Sequence, residues 1–243
     1  MNSLSQKEQK EQKDLVGKRV IDTLIEKRMI FSGMKIGLGT GSTAMSAVKR
    51  LAERIDEGTL KDIKAVPTSF QTTIACEELG ISVYTLNSKS IDGQLDLAID
   101  GADEISPQKH LIKGGGAAHV KEKIVAYNAN TFVIIADQSK LVHTLGTKFA
   151  LPVEIIADAR RSTIQKLEKI GAHCVLREGI RKCGPVITDN GNQIIDCTWD
   201  LPVDAAKMED AVNNIIGVVE NGFFTKREPV VFIAYSDGSV KEL

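Results

Sequence analysis

The sequence predicts an α/β protein, with a Rossmann-like parallel-sheet domain and a smaller α+β domain inserted into it. Short apolar runs alternate with helical patterns through residues 34–136, and this alternation favours a parallel sheet with right-handed crossovers. Residues 152–224 instead follow the order β-α-β-β-α-β, which is the split βαβ, or ferredoxin-like, arrangement. The predicted domains are therefore 1–145 plus 221–243 for the sheet domain and 146–220 for the smaller one.

The elements of the sheet domain are short and strongly patterned. Strands are predicted at 34–39, 63–67, 81–86, 95–100, 111–112 and 132–136. Helices are predicted from apolar spacing between Met45 and Ile55, over 70–79 with Gly80 as a left-handed cap, and over 117–127. The run 132–136 is apolar throughout, as expected for a strand buried on both faces.

The smaller domain is predicted from a different pattern. Its strands are expected at 152–156, 172–177, 186–188, 193–197 and 217–224. Asp158 and Asp204 are expected to cap its two helices. The turn sequence at 189–192, Asp-Asn-Gly-Asn, predicts a hairpin. A last strand is expected at 229–234, and the sequence leaves open whether it returns to the first sheet.

Composition excludes several function classes. The 243 residues contain 31 Lys and Arg against 32 Asp and Glu, a formal net charge of -1, so no bulk charge attracts nucleic acid or an anionic membrane. No apolar stretch approaches the roughly 20 residues of a spanning helix. The first 14 residues are polar and mixed in charge, so we expect no secretory signal and a cytoplasmic location. The 4 cysteines form no C-x-x-C pair, so we expect reduced thiols and no zinc site.

A glycine-rich segment separates the first predicted strand from the first predicted helix. It reads Gly37-Leu38-Gly39-Thr40-Gly41-Ser42-Thr43. Amide groups at a helix N-terminus bind anions, glycines allow close approach, and Thr40, Ser42 and Thr43 add hydroxyls. A dinucleotide fingerprint needs Gly or Ala at Ser42 and an acidic residue about 20 positions later, and both are missing. A Walker A motif is also absent. From these residues alone, an anion site and a plain glycine turn both remain open.

Three carboxylates lie at the carboxyl end of the predicted strand 95–100, in the segment Asp100-Gly101-Ala102-Asp103-Glu104. The carboxyl ends of parallel strands are where α/β proteins bind ligands. Crowded carboxylates suit acid–base chemistry, although a solvated acidic loop is the alternative. They could also hold a divalent cation, but nothing else in the sequence supports one.

A second glycine-rich segment reads Lys113-Gly114-Gly115-Gly116-Ala117-Ala118 and opens a predicted helix that contains Glu122. Consecutive glycines indicate special backbone requirements. Lys113 is a candidate cation for a developing oxyanion. The alternative for Glu122 is a solvent-facing carboxylate paired with lysines. Lys140, after the strand at 132–136, is either a ligand at the same sheet edge or a surface lysine.

Together these motifs, with Asp137-Gln138-Ser139-Lys140, resemble in order and spacing those of ribose-5-phosphate isomerase of the A type. The resemblance runs from about Leu15 to Lys241 and includes the smaller domain. It implies interconversion of D-ribose 5-phosphate and D-ribulose 5-phosphate in the non-oxidative pentose phosphate pathway. It also implies a homodimer or homotetramer that needs neither a nicotinamide cofactor nor a metal.

The resemblance also implies a role for each matching position. The residues expected to contact the sugar phosphate are Thr40, Gly41, Ser42, Thr43, Asp100, Gly101, Ala102, Asp103, Lys113, Gly114, Gly115, Gly116 and Lys140. Glu122 matches the family's proton-transferring glutamate, and Lys113 would stabilise charge on the substrate oxygens. Asp100, assisted by Asp103, would move protons between O1 and O2 and during ring opening. We assign no role to 68–72 and do not treat His119 as catalytic.

Two alternative functions belong to other classes. A non-catalytic sugar-phosphate sensor that regulates transcription would need a DNA-binding module, and the roughly 36 residues before Gly37 are expected to be too few for one. Another enzyme on the same scaffold could be a sugar-phosphate deaminase, a lactonase or a coenzyme A transferase. The acidic motif paired with the second glycine segment at this spacing disfavours all three.

Overall fold

The computed structural model describes residues 6–243, with side chains from residue 11 onward. The expectation of no secretory signal rests partly on residues 1–5, which lie outside the described residues. The chain divides into two compact units. The first comprises the chain up to Gly101, Ile124–Lys140 and Pro229–Leu243, and the second comprises Ala102–Lys123 and Leu141–Glu228. The domain bounds expected from the sequence stay a prediction.

The described helices and strands follow in chain order. The helices are α1 (Gln6–Glu26), α2 (Gly41–Asp56), α3 (Phe70–Glu78), α4 (His119–Tyr127), α5 (Arg160–Lys169) and α6 (Ala205–Asn213). The strands are β1 (Lys35–Leu38), β2 (Lys64–Pro67), β3 (Leu95–Asp100), β4 (Glu104–Ile105), β5 (Leu111–Ile112), β6 (Ala129–Asp137), β7 (Leu151–Ile155), β8 (His173–Leu176), β9 (Gln193–Thr198), β10 (Val218–Asn221), β11 (Phe223–Phe224), β12 (Val230–Ala234) and β13 (Val240–Glu242).

The first unit is built on a six-stranded sheet in the order β13-β12-β6-β3-β1-β2. Every neighbouring pair is parallel except β12 with β13. The last predicted strand, β12, therefore returns to the first sheet beside β6. The strand β6 is buried from Phe132 to Asp137, as its apolar run predicts. Helices α1 and α2 contribute Val20, Leu24, Val48 and Leu51 to the core of this unit.

The second unit holds an antiparallel sheet in the order β10-β7-β9-β8. Numbered in chain order within this sheet, the strand order is 4-1-3-2, with α5 and α6 in the crossovers, which confirms the ferredoxin-like arrangement. Its core includes Leu151, Val153, Leu167, Ile195 and Val212. A three-stranded sheet, β11-β5-β4, completes the unit.

Three local predictions are wrong. Residues 81–86 form no strand, because Val83 makes a single bridge to Ala65 before the chain turns at 85–88. Residues 186–188 likewise form no strand and make one isolated bridge, from Ile187 to Gln193. The turn that follows closes with a 2.9 Å bond from the Thr188 N–H to the Asn192 carbonyl. Asp158 lies in a single 3₁₀ turn before α5 and does not cap that helix. Asp204 does cap α6 as predicted, accepting the Lys207 N–H at 3.2 Å.

The longest helix, α1, has 21 residues and was not predicted from the sequence. Its first half is a run of Lys, Glu and Gln that gives no apolar periodicity. Its second half supplies the apolar face, with Val16, Val20, Ile21 and Leu24 fully buried. No helix in the described part of the chain has both the length and the apolar composition that crossing a bilayer requires.

Candidate active site

In the first unit, the Asp100 carboxylate at the end of β3 supports the loop that follows β1. Its Oδ1 accepts the N–H of Thr40 at 3.1 Å and the N–H of Gly101 at 2.7 Å, and the residue is 3% exposed. Gly39 passes so close that a Cβ there would lie 2.0 Å from this oxygen. The first glycine loop is thus shaped around a buried carboxylate, which is the acid–base candidate expected from the sequence.

The Thr40 hydroxyl lies in a cluster of hydroxyl groups from the start of α3. Its Oγ1 is 2.7 Å from Oγ1 of Thr68 and 2.7 Å from Oγ of Ser69. The Thr72 hydroxyl donates to the Gly39 carbonyl at 2.7 Å. Sequence reasoning assigned nothing to 68–72. The available signal was its Ser/Thr content directly after β2, which is the parallel neighbour of β1.

The N-terminus of α2 has the features of an anion-binding end. Thr40 is the N-cap residue but makes no side-chain cap bond, and the first turn carries no acidic residue. The Gly41 N–H donates to Oε1 of Gln71 at 3.0 Å, and Gly41 adopts φ +88°. Ser42 is exposed. Partial positive charge at this helix end therefore faces solvent beside hydroxyl groups.

In the second unit, Lys113 and Glu122 form a buried ion pair. Lys113 follows β5, where its N–H donates to the Gly222 carbonyl at 2.9 Å. Its Nζ is 3.3 Å from Oε2 of Glu122 and 5.6 Å from the centre of the Phe224 ring. Because Glu122 is only 5% exposed, its alternative interpretation as a solvent-facing carboxylate is wrong.

The next residue on α4, Lys123, has a different set of partners. Its Nζ donates to Glu209 at 3.0 Å, to Glu220 at 2.8 Å and to the Asn221 carbonyl at 2.9 Å. Burial alone would raise the pKa of Glu220, but the Lys123 ammonium and hydrogen bonds from Lys123, Asn221 and Asn213 lower it. Lys113 and Lys123 therefore have separate environments, because Lys113 lies beside Glu122 and Lys123 is bonded to two carboxylates and a carbonyl.

The second glycine loop, residues 113–116, is held against Asp103. The Gly115 N–H donates to Oδ2 of Asp103 at 2.8 Å. Gly114 has φ +104°, and a Cβ there would lie 2.7 Å from Nδ1 of His119, so glycine is required. Ala117 also has positive φ, at 57°, which is why α4 begins two residues later than predicted.

His119 and Glu104 are both buried in the second unit. The Nε2 atom of His119 lies 3.2 Å from the Glu220 carbonyl, and burial lowers the pKa of this ring to about 3. Glu104, the third carboxylate of the acidic motif, accepts N–H groups of Gly146, Lys148 and Phe149 at 2.5, 2.5 and 2.9 Å. Glu104 thus anchors a loop, and it was not among the predicted site residues.

The structure joins the predicted site residues in three local groups. These are Thr40 with Asp100, Asp103 with Gly115, and Lys113 with Glu122. The first unit also contains Gly41, Ser42, Thr43, Gly101 and Lys140, and the second also contains Ala102, Gly114 and Gly116. Lys140 ends a one-turn helix after β6 and is partly exposed. Within the described residues, no three His, Cys, Asp or Glu side chains are grouped to hold a metal ion.

The fold places the chain among α/β proteins that combine a Rossmann-like sheet with a ferredoxin-like unit. The model of one protein family, ribose 5-phosphate isomerase A (phosphoriboisomerase A), matches residues 64–238. The chain belongs to the ribose 5-phosphate isomerase A family, which confirms the resemblance recognised in its motifs.

Individual relatives match this chain in sequence or structure over nearly its whole length. Ribose-5-phosphate isomerase A of Treponema denticola is 59% identical over 233 residues, covering 95% of this chain and 98% of the relative. The structure of ribose 5-phosphate isomerase A from Methanocaldococcus jannaschii matches with a TM-score of 0.87 and 44% identity, covering 96% of this chain and 98% of that one. A D-ribose-5-phosphate isomerase in complex with phospho-erythronic acid matches with a TM-score of 0.88 and 40% identity, covering 96% and 97% of the two chains.

Proposed function

We propose that this chain is an isomerase that interconverts D-ribose 5-phosphate and D-ribulose 5-phosphate. Its family membership supports this activity, and one relative binds phospho-erythronic acid in its solved structure. The observation that carries the chemistry is the buried contact of 3.3 Å between Lys113 and Glu122. It provides a base and a cation side by side, and both are withdrawn from water.

The reaction moves a hydrogen between two neighbouring carbons. Glu122 removes the proton from C2 of the open-chain aldose and returns it to C1, through an enediolate. A carboxylate of low exposure is poorly hydrated, which makes it a stronger base towards that proton. The reaction exchanges no electrons with a cofactor, so it requires no nicotinamide, and Lys113 can supply the positive charge that a metal would otherwise provide.

Lys113 balances charge during this transfer. Before the transfer, its ammonium faces the Glu122 carboxylate. When Glu122 takes the proton it becomes neutral, and negative charge develops on the substrate oxygen. Lys113 then stabilises that oxygen, so the total charge of the buried group does not change during the step.

The remaining residues bind the substrate and move the protons of its oxygens. Residues 40–43 bind the phosphate through amides and hydroxyls at the start of α2, and Lys140 adds a cation. Asp100, assisted by Asp103, transfers protons between O1 and O2 and opens the furanose ring. Gly101, Ala102 and residues 114–116 line the sugar. Phosphate binding supplies energy remote from the reacting carbons.

The proposal extends to the setting in which the enzyme works. We place it in the cytoplasm, in the non-oxidative pentose phosphate pathway, as a homodimer or homotetramer without a nucleic-acid or membrane partner. We also keep the division into a catalytic domain, 1–145 plus 221–243, and a small domain, 146–220.

The test is a direct assay of ribulose 5-phosphate formed from ribose 5-phosphate by the full chain. Unphosphorylated ribose is the matched control, and we expect it to react far more slowly because it lacks the anchoring phosphate. A parallel assay with excess chelator should show unchanged turnover. Binding of ribose 5-phosphate without any product would contradict the proposal and favour the sensor alternative.

A further inference from the structure

We propose that Arg177 is a positioning residue for the isomerisation and holds the second glycine loop in its working shape. This inference rests on the proposed function, because it assigns a role within the same site. Arg177 directly follows β8 in the ferredoxin-like part of the second unit. It is 61 or more positions away from the loop in sequence, and no motif points to it.

The orientation of the Arg177 side chain is fixed by Asp196 on β9. Nε donates to Oδ2 at 2.8 Å and Nη2 donates to Oδ1 at 2.5 Å, which is a bidentate pair. The register of β8 and β9 sets Val175 opposite Asp196. Because side chains alternate along a strand, Arg177 and Asp196 lie on one face of the sheet and the core residue Ile195 lies on the other.

The remaining terminal nitrogen of Arg177 binds two consecutive peptide groups. Nη1 donates to the Gly114 carbonyl at 2.9 Å and to the Gly115 carbonyl at 3.2 Å. The Arg177 side chain is 15% exposed, so water competes weakly for these carbonyls. A lysine at this position would offer one charge centre without the rigid fork that engages a carboxylate and two carbonyls together.

These bonds determine which way the loop amides point. In a trans peptide the C=O and N–H groups point in opposite directions. The Gly114 carbonyl is turned to Arg177, and the Gly115 N–H on the far side of that peptide meets Asp103 at 2.8 Å. The Gly115 carbonyl is also turned to Arg177, so the Gly116 N–H is directed away from the guanidinium. Arg177 thereby presents the Gly116 N–H as a donor for a substrate oxygen.

The loop needs such an anchor because its own residues provide little rigidity. Glycine loses more conformational freedom on ordering than any other residue, and three stand in sequence here. The Gly114 carbonyl also accepts the Ala117 N–H at 3.0 Å, so the loss of Arg177 acts most strongly on the Gly115 carbonyl, whose peptide plane can then rotate and shift the loop that follows Lys113. Small misplacements of catalytic groups cost up to about 100-fold in rate.

The experiment compares Arg177→Ala with Arg161→Ala, an exposed arginine on α5 of the same unit. The wild-type chain is first assayed with ribose 5-phosphate, because an inactive wild type would reject the proposed function and not this inference. We expect Arg177→Ala to lower kcat by 10- to 100-fold with a smaller change in KM. Arg161→Ala should match the wild type. Circular dichroism and the Tm establish the folded fraction of each variant.

Chemical rescue separates positioning from a general loss of structure. Millimolar guanidinium chloride should restore part of kcat to Arg177→Ala, since the ion can occupy the vacated space beside Asp196, whereas tetramethylammonium chloride should not. A kcat of Arg177→Ala within 2-fold of the wild type would overturn the proposal. A loss of kcat equal to the unfolded fraction of the variant would also overturn it, as would a loss of kcat that guanidinium does not reverse. If Arg177→Ala does not fold, Arg177→Lys serves as the second variant. A kcat at least 3-fold below wild type would support the proposal, and a wild-type kcat would overturn it.

Discussion

The Lys113 ammonium lies 3.3 Å from Oε2 of Glu122, and neither side chain exposes more than 6% of its surface. A base and the cation that balances it are thus held together before any substrate arrives. Such a buried pair is costly to break from one side, because the remaining charge loses its partner. The first two predictions follow from this asymmetry.

Replacing Lys113 alone should damage both stability and rate. We expect Lys113→Met to lower the free energy of unfolding by about 3–5 kcal/mol and kcat by about 10²- to 10³-fold. Adding Glu122→Gln should recover part of the stability, since no buried charge is then left alone, while activity stays lost. Urea unfolding and kcat of both single variants and the double variant measure this. Strictly additive losses of stability would contradict a coupled pair.

Lys123, the residue after Glu122 on α4, serves as a comparison for Lys113. Its partners are Glu209, Glu220 and the Asn221 carbonyl, so we expect Lys123→Met to lower the free energy of unfolding by about 3–5 kcal/mol. At a temperature where it remains folded, its kcat should fall much less than that of Lys113→Met. Equal losses of kcat in the two folded variants would show that Lys113 has no special role.

Stability should decrease in mild acid because of His119. Burial holds its pKa at about 3, below the ordinary value of 6.5, so the unfolded chain binds a proton that the folded chain does not. The stabilisation from the neutral ring is complete above pH 6.5 and is lost as the pH falls from 6.5 towards 3. Between pH 7 and 5, the wild type should lose about 2 kcal/mol more than His119→Gln, which keeps a donor for the Glu220 carbonyl. If the free energy of unfolding of the two proteins falls by the same amount between pH 7 and pH 5, His119 is not the cause of the loss.

A negative charge added at the start of α2 should raise the stability of the protein but weaken substrate binding. Ser42→Asp adds a negative charge to the first turn, so the free energy of unfolding should rise by about 0.3–1 kcal/mol. The same charge repels a phosphate, and KM for ribose 5-phosphate should rise at least about tenfold. Ser42→Asn is the neutral control for size. An unchanged KM in Ser42→Asp would remove residues 40–43 from phosphate binding.

Secondary structure could be predicted from the sequence wherever a local pattern was compatible with only one structure. The apolar run in β6 and the Gly80 cap were predictable, since each depends on neighbours in the chain. The segment 81–86 is also strand-like and partly β-branched, but it finds only Ala65 as a partner, and no local pattern reports the lack of a partner strand. The helix α1 was not predicted because only its second half carries an apolar face, so its local signal is weaker than its tertiary packing.

Prediction of the candidate site was limited in the same way, because contacts between distant parts of the chain leave no local pattern. Motif order identified Glu122 and Lys113, but their burial and their contact depend on tertiary packing. The Thr68 and Ser69 hydroxyls and the Arg177 guanidinium lie far along the chain from the loops they contact. Only the Ser/Thr content after β2 pointed to the two hydroxyls, and that content is common at strand ends, while no pattern in the sequence pointed to Arg177.

The most direct test of the account follows the carbon-bound proton that Glu122 is proposed to move. Wild type and Glu122→Gln are incubated with ribose 5-phosphate in D₂O, and deuterium in the recovered sugar phosphates is measured by NMR. Glu168→Gln, an exposed glutamate on α5, is the matched control. The wild type and the control should form ribulose 5-phosphate and introduce deuterium next to the carbonyl. A folded Glu122→Gln should lose about 10²- to 10⁴-fold in both rates, with KM little changed. If folded Glu122→Gln turns over and exchanges hydrogen at rates near those of the wild type, Glu122 is not the base.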